Sequence, residues 1–254
     1  MNKHTRELLS EYGVLGRLNL MLRSTLQFAF MIGSVLTMAF LGLFTFPFPY
    51  RWRYWFITRW TFMNLWFLRR VVGLDSEVQG TEHIPDTPCI VMAKHQSTWE
   101  TLGLQQWFRP QTWVLKRELT LLPLFGWALK LLDPIAIDRK AGRDAVQQVV
   151  DKGRARLLLG RWVVVFPEGT RVLPGSKGRY RIGGAVLAEQ TGVPVIPVAH
   201  NAGDFWARHQ FVKRPGKIQV RIGPPIDTAG LDAGEIRARV EAWIEGEMTK
   251  IQRQ

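Results

Sequence analysis

Residues 89–107 read CIVMAKHQSTWETLGLQQW, a short apolar run followed by a polar loop and then a stretch with helical spacing. An apolar, β-branched run of this length predicts a buried strand, and the stretch after Ser97 predicts a helix. The same alternation recurs along the chain from about Val72. Strands are predicted at Glu77–Gln79, Cys89–Ala93, Thr112–Lys116, Pro134–Ile137, Trp162–Phe166, Val193–Val198 and Ile218–Ile222, and helices at Thr98–Trp107, Leu121–Leu131, Arg143–Leu159, Ile182–Gln190 and Ala233–Ile251. Alternation of this kind predicts an α/β fold with a largely parallel or mixed sheet flanked by helices.

Composition narrows the class of protein. Hydrophobic residues make up 46% of the 254 residues and charged residues 22%, which excludes a disordered chain. The single cysteine, Cys89, excludes a disulfide framework and a cysteine-based zinc cluster. The 34 Lys and Arg against 21 Asp and Glu give a net charge of +13, which indicates an anionic partner such as nucleic acid, lipid headgroups or a phosphorylated substrate. The 11 Trp favour a membrane interface over nucleic acid.

The N-terminal part contains a long uncharged segment. No charged residue lies between Arg23 and Arg51, and the core from Leu26 to Phe46 has about the length that a spanning helix needs. The segment ends without a small-residue cleavage site, so a secretory signal is disfavoured. A buried helix of a soluble core is the alternative. Because both flanks are basic, a hairpin or an interfacial arrangement with both ends on the cytoplasmic side fits the charge pattern better than a simple span.

The following segment, Trp52 to Leu68, predicts an aromatic helix. Arg59 lies on its apolar face and could reach lipid phosphate if the helix lies in the headgroup layer. The alternative is a helix that covers the catalytic domain. We therefore expect a membrane-associated helical segment at residues 1–70 and an α/β domain at residues 71–254. The apolar face consists of Trp52, Trp55, Phe56, Trp60, Met63, Trp66 and Phe67.

The loop after the strand at residues 89–93 carries a histidine and a carboxylate, His95 and Glu100. Loops that leave the carboxyl ends of parallel strands are where α/β folds hold their functional sites. The histidine could take a proton from a hydroxyl while the carboxylate orients the ring. Ser97 and Glu100 also form an S-x-x-E capping box, with Ser97 as the N-cap. The two interpretations are compatible.

A second polar loop, FPEGTR at residues 166–171, follows the apolar strand that begins at Trp162. Arg171 can offer a bidentate fork to a phosphate, and Glu168 could hold that fork or accept a substrate hydroxyl. A surface turn with a local ion pair is the alternative. Lys116 and Arg139 also follow predicted strands, so they could converge with Arg171 on one anion if the strands are neighbours.

These segments resemble the motif blocks of the glycerolipid acyltransferase family. The blocks occur in the family's order, from His95-x4-Glu100 to the VPVIPV segment at residues 193–198, and FPEGTR together with KREL at residues 116–119 is similar to the 1-acyl-glycerol-3-phosphate acyltransferase branch. The other matching residues are Pro123, Gly126 and Ile137-Asp138-Arg139. The resemblance covers roughly residues 78–198.

The resemblance implies roles for individual residues. His95 is implied to be the general base and Glu100 its partner, and the phosphate is implied to bind to Arg171 with Lys116 and Arg139. The acceptor loop includes Glu168, Gly169 and Thr170, with Gly169 shaping it, and Val195–Pro197 are implied to line or support the acyl-binding region. Two positions depart from the family, which usually has Asp where Glu100 stands and commonly Asn where Lys94 stands. We expect the Lys94 charge to be available to the phosphate of the acyl donor.

The expected function is acyl transfer from acyl-CoA or acyl-carrier-protein to the free hydroxyl of lysophosphatidate, which gives phosphatidate for phospholipid biosynthesis. Attack would be direct, because neither Ser97 nor Cys89 has a nucleophile's setting. Backbone N–H groups near Gly169 are expected to hold the oxyanion. No metal, cofactor or nucleic acid is expected, and the enzyme is expected at the inner membrane with its active site facing the cytoplasm. Two alternatives remain: another acceptor (glycerol-3-phosphate or a lyso-aminolipid), or a basic protein that binds membrane surfaces or nucleic acid.

Overall fold

A seven-stranded mixed sheet forms the centre of the chain in a computed structural model that describes residues 12–251. The strand order is β1-β7-β6-β2-β5-β3-β4, and every neighbouring pair is parallel except β6 and β7. The predicted α/β class with a mixed sheet is therefore confirmed. The strands are β1 (Leu74–Gln79), β2 (Ile90–Ala93), β3 (Gln111–Lys116), β4 (Ile135–Ile137), β5 (Trp162–Val165), β6 (Val195–His200) and β7 (Gly216–Ile222).

Helices cover both faces of this sheet. The α-helices are α1 (Val14–Leu43), α2 (Tyr50–Phe67), α3 (Trp99–Gly103), α4 (Phe125–Lys130), α5 (Arg143–Leu158), α6 (Gly183–Thr191), α7 (Ala202–Phe205) and α8 (Ala233–Ile251). A π-helical turn at Leu68–Val72 and 3₁₀ turns at Thr81–His83, Leu104–Gln106 and Arg117–Leu121 complete the described elements.

The central strands have two buried faces, as a parallel sheet requires. In β2, Val91 and Ala93 pack into a core with α3 and the π-helical turn, whereas Ile90 and Met92 pack into a second core with α5, α6 and α8. Every residue of β2 and β5 is buried. Strands that are apolar on both sides read as unbroken hydrophobic runs, which is why the sequence predicts them clearly.

The predicted helix at Leu121–Leu131 is interrupted in the structure. A 3₁₀ turn ends at Leu121, and α4 begins only at Phe125. Pro123 lies between them and Leu124 adopts a positive φ of 59°, so the chain turns sharply. A Cβ on Gly126 would lie 2.7 Å from the carbonyl oxygen of Leu119, so only glycine allows this close approach.

The two N-terminal helices, α1 and α2, form a hairpin. Phe30 and Phe67 stack with ring centroids 4.1 Å apart, and the Trp60 Nε1–H donates to Ser34 Oγ at 3.1 Å. Thirty residues give α1 a length of about 45 Å. Within the described residues α1 alone is long and apolar enough to cross a membrane, and 17% of its apolar window is buried. The interpretation of this segment as a buried core helix is wrong, because most of its side chains are exposed.

Polar rather than apolar residues form the buried face of α2. Tyr54, Thr58, Thr61 and Asn64 point inward, and Gln105 Nε2–H donates to Thr61 Oγ1 at 2.8 Å. Of the aromatic face predicted from the sequence, Trp60, Phe56 and Phe67 are half-buried, and the exposed residues are Trp52, Trp55, Met63 and Trp66. This inverted pattern suggests association with a membrane, because the apolar residues lie outside.

Candidate active site

The polar segments that follow or end strands β2, β3, β4 and β5 meet at one edge of the sheet. Strands β2, β5, β3 and β4 are consecutive neighbours and run parallel, so their carboxyl ends lie side by side. His95 follows β2, the 166–171 loop follows β5, Lys116 ends β3 and Arg139 follows β4. The condition set for convergence of the three cations, that their strands be neighbours, is therefore met.

His95 and Glu100 form a direct hydrogen bond at this edge. The His95 Nδ1 lies 2.8 Å from Glu100 Oε1, and the Glu100 side chain is fully buried. An ionised carboxylate only accepts hydrogen bonds, so Nδ1 carries the hydrogen and Nε2 is left as the basic nitrogen. Burial opposes ionisation of Glu100, but the bonds from His95 and the Ser97 amide and the nearby His200 ring outweigh it, so the pKa of Glu100 lies below its ordinary value.

Glu100 also caps the helix that carries it. The same Oε1 accepts the amide hydrogens of Gln96 at 2.8 Å and Ser97 at 2.7 Å. The helix begins one residue later than the capping box predicts: its N-cap is Thr98, and Ser97 Oγ accepts from the Trp99 amide at 3.0 Å. One oxygen atom thus orients the histidine and holds the turn, which confirms that the two interpretations of Glu100 are compatible.

A cavity of about 380 Å³ opens beside His95. Three cationic side chains, Lys116, Arg139 and Arg171, line it together with His95. Much of its remaining wall is apolar and comes from α1, α2 and α4: Val35, Met38, Ala39, Ile57, Trp60, Phe125, Ala128 and Leu129. A cavity with a basic end and an apolar wall suits an anionic, acyl-bearing ligand.

The cations differ in their surroundings. Burial lowers the pKa of both Arg139 and Arg171, yet an arginine stays charged at neutral pH. Arg139 donates from Nη1 to the carbonyl oxygen of Gly169, so it also holds the 166–171 loop. Lys116 is about half exposed and pairs with Glu118 at 3.1 Å. Arg171 is half-buried and lies near Glu100. Of the three cations it is therefore the best suited to form two charge-assisted hydrogen bonds to one anion.

None of Glu168, Gly169 and Thr170 lines the cavity. The Glu168 carboxylate is buried, accepts the His95 amide hydrogen at 2.7 Å and pairs with Lys94 at 2.8 Å. The prediction that it holds the Arg171 fork is wrong. Gly169 has a φ of +68°, and its amide donates to Phe166 within the turn, so that amide is already used. Thr170 is exposed and does not line the cavity.

Lys94 does not face the cavity, so the expectation that its charge is available to the acyl donor is wrong. Its ammonium group is 1% exposed and lies between Glu168 and Glu245, at 2.8 and 2.7 Å. Burial of a charge requires paired carboxylates, which this lysine has. No sequence pattern indicates Glu245, because it is distant along the chain.

His200 is a further buried residue of the site that motif reading missed. It is fully buried, its Nε2 donates to the Lys94 carbonyl oxygen at 2.8 Å, and its Nδ1 accepts from the Ala202 amide at 3.3 Å. Burial lowers the pKa of His200, so the ring is neutral. The feature that could have identified His200 is its position at the carboxyl end of β6, which neighbours β2.

Val195–Pro197 belong to β6 and pair with β2, and they do not line the cavity. Of the two implied roles, lining or supporting the acyl-binding region, the structure does not bring these residues to the cavity wall, because they are buried inside the sheet. They support the strand that leads to His95.

Within residues 12–251, no cluster of three or more His, Cys, Asp or Glu could hold a metal ion.

A buried carboxylate, an oriented imidazole and three cations lie together at the end of a mixed α/β sheet, an arrangement suited to an enzyme that deprotonates a hydroxyl of an anionic acceptor. Residues 75–201 match the family model described as "Acyltransferase". The chain is 43% identical over 91% of its length to a 1-acyl-sn-glycerol-3-phosphate acyltransferase from Pseudomonas aeruginosa, of which it covers 91%. The chain therefore belongs to the acyltransferase family, in its 1-acyl-sn-glycerol-3-phosphate acyltransferase branch.

More distant proteins agree with this assignment. The mouse 1-acyl-sn-glycerol-3-phosphate acyltransferase alpha is 34% identical over 67% of this chain, and the match spans 61% of that protein. The crystal structure of the acyltransferase PlsC from Thermotoga maritima superposes with a TM-score of 0.77 over 94% of this chain and 98% of that one. At 22% identity, this second similarity supports the fold alone.

Proposed function

We propose that this enzyme transfers a fatty acyl group from acyl-CoA or acyl-carrier-protein to the free hydroxyl of 1-acylglycerol-3-phosphate, giving phosphatidate for phospholipid biosynthesis. One observation carries the proposal: the 2.8 Å contact between His95 Nδ1 and Glu100 Oε1 lies beside a cavity that has three cations and an apolar wall. The relatives named for this activity support the choice of acceptor.

The reaction needs only a base in this arrangement. His95 Nε2 takes the proton of the acceptor hydroxyl while the hydroxyl oxygen attacks the thioester carbonyl carbon. The carbon–sulfur bond then breaks, and the proton on His95 passes to the leaving thiolate. Glu100 stabilises the imidazolium in between. An acyl-enzyme on Cys89 or Ser97 is disfavoured, since both residues are buried and the Ser97 hydroxyl caps α3.

The basic end of the cavity recognises the phosphate of the acceptor, and the apolar wall recognises its acyl chain. Arg171, with Lys116 and Arg139, binds the phosphate, because a guanidinium can form two parallel hydrogen bonds to it. Glu168 acts through the backbone of His95 instead of contacting the substrate, and Gly169 shapes the loop. The apolar wall from α1, α2 and α4 accommodates an acyl chain.

The N-terminal hairpin gives access to lipid substrates. Residues 1–70 form the membrane-associated unit and residues 71–254 the α/β acyltransferase domain, with the site on the cytoplasmic face of the inner membrane. The exposed apolar face of α1 and the exposed Trp residues of α2 support the membrane association. Since both helices also wall the cavity, acceptor and product can enter and leave through the bilayer.

The test is an assay of the purified full-length protein in mixed micelles. Lysophosphatidate, glycerol-3-phosphate and lysophosphatidylcholine are compared as acceptors, each with acyl-CoA and with acyl-carrier-protein, and His95→Ala is the control. We expect lysophosphatidate to be the preferred acceptor and His95→Ala to be inactive. A preference for either other acceptor, or full activity of His95→Ala, would contradict the proposal.

A further inference from the structure

A buried charge network lies behind the catalytic loop, on the side away from the cavity. The ammonium group of Lys94 donates to Glu245 Oε1 at 2.7 Å and to the carbonyl oxygen of Ser176 at 3.3 Å, and it forms an ion pair with Glu168 Oε1 at 2.8 Å. Tyr180 donates its hydroxyl hydrogen to the same Glu245 oxygen at 2.8 Å. The reaction mechanism uses none of Lys94, Glu245 and Tyr180, so this network requires another explanation.

The network reaches the general base through the backbone. Glu168 Oε2 accepts the amide hydrogen of His95 at 2.7 Å, while its Oε1 pairs with Lys94, the residue directly before His95. The His95 carbonyl oxygen in turn accepts from the Val172 amide at 2.8 Å. The backbone of the general base is therefore held from both sides, and one of those sides depends on the orientation of Glu168.

Glu245 adds a second carboxylate partner for Lys94 from a distant part of the chain. It lies on α8, outside the residues 75–201 that match the family model. The resemblance assigns a neutral Asn to the position of Lys94, so this chain buries an ammonium group there, and Glu245 is one of its hydrogen-bond acceptors. When one acceptor of a buried donor is removed, the donor depends more strongly on the partners that remain.

We propose that Glu245 is a positioning residue of the reaction, which acts through Lys94 and Glu168 on the backbone of His95. This inference rests on the proposed function, because it takes His95 to be the general base. Without Glu245, Lys94 has Glu168 as its remaining carboxylate partner and pulls that side chain away from the His95 amide. A shift of about 1 Å in a catalytic group can reduce turnover about a hundredfold.

The first experiment compares two isosteric substitutions on one helix in the full-length enzyme. Glu245→Gln removes the half-buried carboxylate that pairs with the buried Lys94, and Glu241→Gln, one turn earlier, removes an equally half-buried carboxylate that pairs with the exposed Lys177 at 2.7 Å. We expect Glu245→Gln to lower kcat about tenfold to a hundredfold and to leave the KM for the acceptor within about twofold. Glu241→Gln should keep kcat within about twofold. A general loss of folded enzyme is separated from this effect by titrating the active fraction.

The second experiment tests for rescue. Lys94→Asn alone leaves Glu168 and Glu245 facing each other, and it should lower kcat about as much as Glu245→Gln. The double variant Lys94→Asn with Glu245→Gln removes both charges and should recover kcat to within about threefold of the unmodified enzyme. If Glu245→Gln does not fold, Tyr180→Phe removes only the hydroxyl that donates to Glu245 and should lower kcat about threefold with KM unchanged.

Three results would overturn the proposal. The first is an unchanged kcat in Glu245→Gln or, if that variant does not fold, in Tyr180→Phe, and the second is an equal loss of kcat in Glu245→Gln and Glu241→Gln. The third is a double variant whose fold-loss of kcat is the product of the fold-losses of Lys94→Asn and Glu245→Gln. All variants are measured with the acceptor that the unmodified enzyme uses. A preference for an acceptor other than lysophosphatidate therefore corrects the proposed function and leaves the role of Glu245 to be decided by these comparisons.

Discussion

The ring of Phe166 lies flat against the imidazole of His95, with centroids 4.1 Å apart and planes within 15°. The two residues come from different loops, after β5 and β2, which are neighbours in the sheet. The stack fixes the ring plane of His95, while Glu100 fixes its rotation through Nδ1. His95 is thus oriented by two contacts. The sequence motifs indicate the contact with Glu100 but not the contact with Phe166.

Replacing Phe166 with Leu should therefore slow the reaction without abolishing it. Aromatic stacking is worth about 0.5–1.5 kcal/mol, so its loss should lower kcat by roughly twofold to tenfold. Leu keeps most of the apolar volume, so the change in Tm should be small. Steady-state kinetics with saturating donor measure the effect, and Phe166→Tyr, which keeps the ring, serves as the control. Unchanged kcat in Phe166→Leu would show that Glu100 alone orients His95.

Arg171 should contribute mainly to binding of the acceptor's phosphate. Loss of a charge-assisted bidentate contact costs about 1.5–3 kcal/mol, so Arg171→Ala should lower kcat/KM for lysophosphatidate about 10–150-fold. Arg171→Lys should recover only part, because an ammonium group lacks the fork. The comparison is with a neutral lyso-acceptor, whose use should change much less. An equal proportional loss for both acceptors would assign phosphate recognition to another residue.

The pH dependence of stability should reveal the buried Glu168. Burial raises the pKa of Glu168 from the ordinary 4.5 to about 7, and Glu245 beside the shared Lys94 adds to the shift. Between these two values the folded protein holds a proton that the unfolded chain has lost, so this group's contribution to stability decreases as the pH rises through that window. The neutral variant Glu168→Gln lacks the effect.

We therefore expect the Tm of the unmodified protein to fall relative to that of Glu168→Gln between pH 5 and pH 8, by on the order of 5 °C. Scanning calorimetry in one detergent at several pH values measures it. Other titrating groups, such as His200, are present in both proteins, so the difference isolates Glu168. A constant difference in Tm across this range would contradict a raised pKa.

The exposed apolar face of α1 should hold the protein on the membrane. Leu36 and Phe40 are 49% and 53% exposed on this helix, whereas Leu158, 83% exposed, lies at the end of α5. A Lys at the centre of a membrane helix costs about 2.5–3.5 kcal/mol. The double variant Leu36→Lys with Phe40→Lys should therefore appear partly in the soluble fraction after a high-salt wash, while Leu158→Lys should sediment as the unmodified protein does. Identical sedimentation of all three proteins would mean that the anchor lies elsewhere.

Substitution is a better test of the anchor than removal of residues 1–70. Tyr54 and Leu68 belong to the main hydrophobic core, and the Tyr54 hydroxyl accepts the amide hydrogen of Gln111 in β3 at 3.1 Å. A truncated chain would expose this core and could aggregate for that reason alone. The boundary at about residue 70 that the sequence suggests therefore marks a change in composition. It does not mark a break in packing, because residues on both sides of it share one hydrophobic core.

The local sequence was a good guide to the strands and to the catalytic loops. Runs such as Trp162–Val165 are buried on both faces, so their unbroken apolar character identifies them, and a polar loop after such a strand must lie at the sheet edge. His95, Glu100 and Arg171 could be predicted for this reason. The adjacency of their strands could not, because the order of strands in a sheet depends on packing between distant segments.

The partners of Lys94 and Glu168 lay beyond prediction from single motifs. Glu168 and Arg171 are close in sequence, which suggests a local ion pair, but the partner of the buried Glu168 is Lys94, in the loop after β2. A buried ammonium selects whichever carboxylates the tertiary structure brings within reach, and here one of these, Glu245, is 151 positions away. The departure from the family at Lys94 marked the position, but the sequence indicated a contact with the acyl donor there and not a buried ion pair.

Glu100 permits the sharpest test, because one of its oxygens makes all of its hydrogen bonds. Oε1 accepts from His95 Nδ1, from Gln96 N and from Ser97 N, whereas Oε2 has no hydrogen-bond partner among residues 12–251. In Glu100→Gln the amide oxygen can keep all three bonds, and the amide nitrogen takes the place of Oε2. The substitution therefore preserves the cap and removes the charge that stabilises the imidazolium, and it places an NH2 group at a buried position 3.9 Å from His200 Nε2.

We expect Glu100→Gln to remain folded with a Tm lowered by about 2–10 °C, since the hydrogen bonds to the helix start remain and the cost is that of a buried NH2 group without an acceptor. Its kcat should fall at least about a hundredfold, because the imidazolium formed in the reaction loses its counter-charge. Glu100→Asp should keep measurable activity, as Asp is the residue that the family usually has here. His95→Ala should be as inactive as its double variant with Glu100→Gln, because paired catalytic groups act as a unit. Near-normal turnover of Glu100→Gln beside an inactive His95→Ala would reduce Glu100 to a helix cap, and the counter-charge of His95 would then have to come from another group.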